Sequence, residues 1–173
     1  EIGTGWYRKT LNMKPETLKG RRVLLDFEGI MLVGDVYLNG RRIGGTDYGY
    51  VGFQIDATGL LKEGDNTLVV KASTMTEKNS RWYTGAGIYR PVWLVSAPEV
   101  HLAPWGTAWR LKKLTAAKAT VEVDVEATGG GKDYQAIVEI QDMEGHTVAT
   151  ATTPVPSDKK QTVTLSLKNP QCW

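Results

Sequence analysis

The sequence predicts two all-β sandwich domains in tandem, and three observations support this fold class. Apolar and polar residues alternate with a period of two in several segments, whereas the period of an amphipathic helix is almost absent. The predicted strands are short, and turn signals separate them about every 8–12 residues, as in an immunoglobulin-like sandwich. Pro98 marks the expected boundary in a chain of 173 residues, which is long enough for two small domains.

The first half contains a clear strand and a clear hairpin. Val23, Leu25 and Phe27 share one face of the strand, and a hairpin turns at Asn39-Gly40, a dipeptide that favours the left-handed backbone of a two-residue turn. We predict further strands at 53–55, 67–72 and 92–95.

The second half alternates more regularly. From Ala119 to Ala127 every second residue is apolar, and the intervening Glu122 and Asp124 are expected on the solvent side. The triple glycine 129–131 follows as a loose turn. The predicted core of this half consists of Val121, Val123, Val125, Val138, Ile140, Val163 and Leu165.

Composition argues against several classes of function. The net charge is +2 with both signs mixed, so we expect no nucleic acid and no membrane surface as a partner. No apolar run approaches the ~18 residues of a membrane helix. His101 and His146 have no metal-ligand spacing around them, and no nucleophile elbow or phosphate loop occurs, so we predict neither a metal nor a cofactor.

The chain begins at Glu1 without a signal-peptide pattern and ends on Trp173, and we expect it to be a piece of a longer polypeptide. Cys172 is the one cysteine, so an internal disulfide is impossible. The compartment stays open, with the periplasm or the extracellular space expected ahead of the cytoplasm.

The most unusual segment runs from 81 to 90 and combines Trp82, Tyr83 and Tyr89 with glycines. These aromatic side chains are suited to stacking on sugar rings, or to filling a core or a domain interface. Elsewhere in the chain, Glu28 lies among apolar or small neighbours, where its charge would need a cation as partner. Arg90, between Tyr89 and Pro91, is the natural partner, so we predict a buried or half-buried ion pair.

Several motifs, in this order, resemble the N-terminal region of glycoside hydrolase family 2, which includes β-galactosidases, β-glucuronidases and β-mannosidases. They cover nearly the whole chain: 5–9 (Gly-Trp-Tyr-Arg-Lys), 27–29 (Phe-Glu-Gly), 36–40 (Val-Tyr-Leu-Asn-Gly), 49–58, 81–90 (Arg-Trp-Tyr-Thr-Gly-Ala-Gly-Ile-Tyr-Arg) and 169–173 (Asn-Pro-Gln-Cys-Trp).

The resemblance implies a jelly-roll (galactose-binding-like) sandwich at 1–97, followed by an immunoglobulin-like β-sandwich at 98–173. In this family a (β/α)₈ barrel comes next and carries both catalytic glutamates of a retaining mechanism. No strand–helix alternation of that kind occurs here, so we predict no catalytic residue in this chain. The barrel of the same parent chain is the implied partner, with a carbohydrate substrate at its rim.

Two departures from the family pattern bear on the site. Further jelly-roll sequence usually precedes the Gly-Trp-Tyr-Arg motif, so an edge strand is expected to be missing here. Some β-galactosidases place a substrate-contacting Asp just before the Trp of the later motif, where this chain has Asn79, Ser80 and Arg81. The candidate residues at the substrate rim are therefore Asn79, Arg81, Trp82 and Tyr83.

The function expected from these observations is that of non-catalytic accessory domains in a retaining exo-β-glycosidase, with β-galactosidase as the nearest type. Two alternatives remain: a stand-alone carbohydrate-binding module with a lectin-like jelly roll, and an adhesion or interaction protein built from sandwiches.

Overall fold

The structure, a computed structural model, describes residues 3–75, 85–156 and 158–171. It separates into two compact units, Glu1–Pro98 and Glu99–Trp173. In the described residues the chain forms fourteen β-strands and one helix of four residues. The all-β prediction is confirmed.

The first unit contains two main sheets. One has four strands in the order β1 (Thr4–Met13), β7 (Gly64–Ser73), β4 (Val33–Leu38) and β5 (Arg41–Thr46). The other has three, in the order β6 (Phe53–Asp56), β2 (Arg21–Phe27) and β9 (Val92–Pro98). A short pair joins β3 (Ile30–Met31) to β8 (Gly87–Ile88), and α1 (Pro15–Leu18) precedes β2.

The core of this unit follows the alternation in β2. Val23, Leu25 and Phe27 are at most 1% exposed, whereas the intervening residues are half-buried. The Phe27 ring stacks on the Phe53 ring of β6 with a centroid distance of 4.9 Å. Apolar residues of the facing sheet complete the core, among them Val36, Leu38, Leu68 and Val70.

The predicted hairpin joins β4 to β5. Asn39 and Gly40 have φ of 50° and 84°, and Leu38 lies opposite Arg41. Positive φ at both central positions is the geometry for which Asn-Gly is favoured. The predicted hairpin is therefore present, with the backbone conformation that Asn-Gly favours.

An apolar cavity of about 460 Å³ opens between the edge strands β1 and β9 of the two facing sheets. The core residues Leu25, Phe27 and Val70 line it. The edge strand that the resemblance implies before residue 5 stays a prediction.

The second unit has a three-stranded sheet in the order β10 (His101–Leu114), β11 (Lys118–Thr128) and β14 (Gln161–Lys168). Facing it are β12 (Gly131–Gln141) and β13 (Thr147–Val155). Val125, Ala127 and Val155 form the buried centre, and half-buried Val123, Ala136 and Val138 pack against it. Val163 and Leu165 are buried as well.

Asp124 differs from the expectation of a solvated side chain. It lies on the sheet face opposite to Val123 and Val125, as predicted, but it is only 5% exposed. The Arg110 guanidinium donates to both of its carboxylate oxygens at 2.8 and 3.2 Å, and the Thr162 hydroxyl donates at 2.6 Å. Long side chains on neighbouring strands have covered a position that alternation assigned to water.

Candidate functional site

Tyr89 is fixed at the point where β2 ends and β8 joins β3. Its hydroxyl donates to the Gly49 carbonyl at 2.7 Å, and its backbone N–H donates to the Gly29 carbonyl at 3.4 Å. A Cβ on Gly29 would lie 2.7–2.8 Å from ring atoms of Tyr89, so only glycine lets the ring lie this close. Two glycine-containing motifs thereby hold one aromatic side chain.

The side chain of Glu28 is hydrogen-bonded to a neutral group. Its backbone N–H donates to the Pro91 carbonyl at 3.1 Å, and its carboxylate accepts a hydrogen bond of 2.7 Å from the Trp93 indole N–H. The side chain is half-buried and in reach of solvent, so the indole N–H is a sufficient partner without a cation.

Arg90 does not pair with Glu28. Its guanidinium lies over the Tyr89 ring, 5.3 Å from the centroid, and the residue is exposed. Within the described ranges no ion pair joins Glu28 to Arg90. The predicted ion pair is wrong because neither residue is buried deeply enough to require a counter-charge.

These contacts create a surface that we call the aromatic end, made of Tyr48, Tyr50, Tyr89, Trp93 and Arg90. Tyr48 and Tyr50 pack edge to face at 5.7 Å, and they flank the glycine that accepts from Tyr89. The four aromatic residues are between 40% and 57% exposed. Exposed aromatic faces beside a guanidinium bind by stacking and hydrogen bonding, either to a sugar ring or to a protein surface.

The substrate-rim candidates Asn79, Arg81, Trp82 and Tyr83 lie outside the described residues. In sequence they fall between Met75, which follows β7, and Gly85, which precedes β8. The segment therefore connects to described structure close to the aromatic end, since Tyr89 is only four residues beyond Gly85.

A second cluster on the outer face of the four-stranded sheet was not predicted. Trp6 is 62% exposed, and its ring lies 6.2 Å from that of Tyr37. The Lys71 ammonium lies 6.0 Å from the Trp6 centroid and 3.9 Å from the Asp35 carboxylate. Arg42 donates to the same carboxylate at 2.8 Å. Strand pairing across three segments that are distant in sequence brings these residues together, so the sequence carried no local signal.

In 3–75, 85–156 and 158–171, no group of three or more His, Cys, Asp or Glu side chains could hold a metal ion. The helical residues of that same part include no stretch long and apolar enough to cross a membrane.

The chain is similar to known proteins over nearly its whole length. It is 32% identical to a putative β-glucuronidase of Formosa agariphila and 31% identical to a β-galactosidase of Bacteroides ovatus, in each case over 99% of its length. It spans only 16% and 21% of those two proteins. A crystal structure of a β-glycosidase from Bacteroides vulgatus matches with a TM-score of 0.86 and 31% identity, over 99% of this chain and 22% of that one.

The family comparison accounts for the first unit and for the motifs that fix Tyr89. Residues 3–101 match the model described as the glycosyl hydrolase 2 galactose-binding domain-like family. The described residues contain no (β/α)₈ barrel, and the relatives are several times longer. The chain therefore belongs to glycoside hydrolase family 2, as the N-terminal sandwich region of such an enzyme.

Proposed function

We propose that this chain is the accessory region of a retaining exo-β-glycosidase and that its aromatic end docks on the catalytic barrel of the same parent chain. In this proposal residues 1–97 form the jelly-roll sugar-binding-type domain and 98–173 an immunoglobulin-like sandwich. The observation that carries the proposal is the fixed position of Tyr89 under an exposed aromatic surface. Four partly exposed aromatic side chains at one end of a sandwich form the kind of surface that marks an interaction site.

The substrate proposal is a β-galactoside. The relatives carry names of both β-galactosidases and β-glucuronidases, so the family leaves the sugar open. The parent enzyme should have a higher kcat/KM on an aryl β-galactoside than on the corresponding β-glucuronide or β-mannoside. A preference for the glucuronide would overturn the galactoside proposal and leave the accessory role intact.

We place Asn79, Arg81, Trp82 and Tyr83 at the rim of the substrate pocket in the parent enzyme. Trp82→Ala should then raise KM roughly ten-fold, the loss of one stacking contact, with a smaller change in kcat. Ser80→Ala is the matched control in the same segment, and we expect its kinetics to be unchanged. Unchanged kinetics for Trp82→Ala would remove these residues from the rim.

Docking is tested with two matched variants of the full-length parent. The double variant Tyr48→Ala/Tyr50→Ala removes exposed rings from the aromatic end. Trp6→Ala removes a similarly exposed ring from the outer face of the four-stranded sheet. We expect the double variant to lower both the melting temperature and the kcat of the parent, and Trp6→Ala to change neither. The opposite result, or an unchanged melting temperature and kcat in both variants, would contradict docking through the aromatic end.

The second candidate function, a stand-alone carbohydrate-binding module, is favoured by the cluster around Trp6. An exposed indole beside Asp35, Arg42 and Lys71 offers a stacking face and hydrogen-bonding groups on one sheet surface. A glycan array on the chain separates the two functions. Binding that Trp6→Ala abolishes would support the module, and an array without binding would exclude it.

A further inference from the structure

The outer face of the four-stranded sheet places an indole ring beside two cationic side chains. Directly opposed residues of an antiparallel ladder point to the same side of a sheet. Trp6 lies opposite Lys71, and Lys71 lies opposite Asp35, so these three side chains share the outer face. Arg8 follows two positions after Trp6 on β1, and its side chain therefore points to the same face, about 7 Å further along the strand.

The Trp6 ring is held in place and still open to a ligand. Its contacts are with the half-buried Tyr37 ring, at a centroid distance of 6.2 Å, and with the Lys71 ammonium, 6.0 Å from its centroid. The residue is nevertheless 62% exposed. A ring that neighbouring side chains already position loses little freedom on binding, so it is a suitable platform for stacking.

The charge around this ring is positive. Arg42 donates to the Asp35 carboxylate at 2.8 Å, and the Lys71 ammonium lies 3.9 Å from the same group, so two cations share one acid. Arg8 is exposed and forms no ion pair with another described residue. Three cations and one acid therefore face a ligand that lies on the ring.

Two further acids lie near this sheet but farther from the ring. Asp65 is on the same face, six residues from Lys71 along β7, and is therefore about 20 Å away from it. Asp47 follows the end of β5, which is three strands from β1 and so roughly 14 Å from it. Neither acid offsets the cations next to Trp6.

We propose that this face binds a hexuronate residue of an acidic polysaccharide, with the pyranose ring stacked on Trp6 and the carboxylate bound by Arg8 and Lys71. The two parallel N–H groups of a guanidinium match a planar carboxylate, and Arg8 has no acidic partner in the described part of the chain. The proposal rests on the carbohydrate-binding function considered above for the cluster around Trp6, and it adds the chemical class of the ligand.

The test measures binding of the full-length parent to three polymers by affinity electrophoresis. Polygalacturonate supplies the carboxylate, a neutral galactan lacks any charge, and a carrageenan carries sulfate instead. We expect polygalacturonate to bind roughly ten-fold more tightly than the neutral galactan, the effect of one charge-assisted contact at an exposed site. Binding should weaken as salt is added, because the cations are exposed.

Each other outcome has a separate meaning. Equal affinity for the neutral galactan would overturn the hexuronate proposal and leave carbohydrate binding intact. Tighter binding of the carrageenan would overturn it as well, because sulfate would then be the preferred anion. A parent that binds none of the three polymers would contradict both the proposal and the carbohydrate-binding function.

Variants of the parent assign the binding to this face. Trp6→Ala and Arg8→Gln should each weaken polygalacturonate binding roughly ten-fold. Lys9→Gln is the matched control. It removes the same charge from the next position of β1, which lies opposite the buried Leu68 and so points to the other face, and affinity should stay within about two-fold.

The melting temperature of each variant shows whether it is folded. Equal losses of affinity in Arg8→Gln and Lys9→Gln would mean that the polymer follows net charge, which would overturn the proposal. Unchanged affinity in Trp6→Ala would also overturn it, because no ring would then stack on the indole.

Discussion

At the scale of single residues, the hydroxyl of Tyr89 makes one well-defined contact. Tyr89→Phe removes its hydrogen bond to the Gly49 carbonyl. We expect the free energy of unfolding to fall by about 1 kcal/mol, the net value of one hydrogen bond in a partly exposed place. Urea denaturation measures it. Tyr50→Phe, which alters a hydroxyl with no hydrogen bond in the described part, is the control and should be neutral. Equal effects of the two changes would show that the Gly49 contact contributes nothing.

Arg90 should matter little to stability. Its guanidinium is exposed and stacks on Tyr89, so Arg90→Ala should lower the free energy of unfolding by less than about 1 kcal/mol. A loss of about 3 kcal/mol is expected for breaking a buried ion pair, and it would be evidence for the pair with Glu28 that the structure does not contain. The same urea titration distinguishes these results, and Arg90→Lys, which keeps the charge, shows whether the planar group is needed.

At the scale of elements, Asn66 ties the loop before β7 to the β4–β5 hairpin. It is 1% exposed, and its amide bonds to the backbone of Lys62 and Gly64 and to the Asn39 side chain. Asn66→Ala removes these part-buried hydrogen bonds together, and we expect a loss of about 2–3 kcal/mol. Asn12→Ala, which removes an exposed hydrogen bond to Asp65, is the control and should cost under about 1 kcal/mol. Similar losses in thermal or urea unfolding would refute the bracing role.

The Asp124 cluster joins β10, β11 and β14 and should make the second unit sensitive to acid. Hydrogen bonds from Arg110, and then from Thr162, hold the pKa of Asp124 well below its usual range. The unfolded carboxyl titrates near its ordinary pKa of about 3.9, so the unfolded chain takes up protons first as the pH falls. Stability from this group is therefore complete above about pH 5 and is lost progressively as the pH drops below 4 or so.

Asp124→Asn removes this titration. The variant should be less stable than the natural chain at neutral pH, and its free energy of unfolding should fall less steeply between about pH 5 and pH 3. Thr162→Val, which keeps the Arg110 contact, should give an intermediate slope. Parallel pH profiles for Asp124→Asn and the natural chain would show that Asp124 has no role in acid sensitivity.

At the scale of the whole molecule, this chain should not hydrolyse glycosides by itself. The described residues contain sandwich sheets and no barrel that could hold two carboxylates about 5–5.5 Å apart. We expect no turnover of aryl β-galactosides, β-glucuronides or β-mannosides above background, measured by chromophore release. Full-length parent enzyme is the positive control. Turnover that disappears when one of the chain's own Asp or Glu residues is changed would contradict the accessory role.

The sequence by itself determined the elements that have one face in the core and the other exposed to water. Alternation placed Val23, Leu25 and Phe27 in the first core, and Asn39-Gly40 specified its hairpin, because period-two burial and positive φ are local properties. The family also followed from the sequence, since its motifs are short local segments that can be read without the fold, such as the Phe-Glu-Gly motif in which Gly29 lies beneath Tyr89.

Only the tertiary structure decided where exposure departs from alternation. Strands β1 and β10 were not predicted, because both are edge strands with side chains exposed on both faces, and β10 is interrupted by irregular pairing near Trp105. The hydrogen-bond partners of Glu28 and Asp124 could not be predicted from the sequence either. Each was chosen by a residue at least 14 positions away in sequence, Trp93 for Glu28 and Arg110 for Asp124, which strand pairing brought within hydrogen-bonding distance. Long-range pairing fixes such contacts, and no local pattern records them.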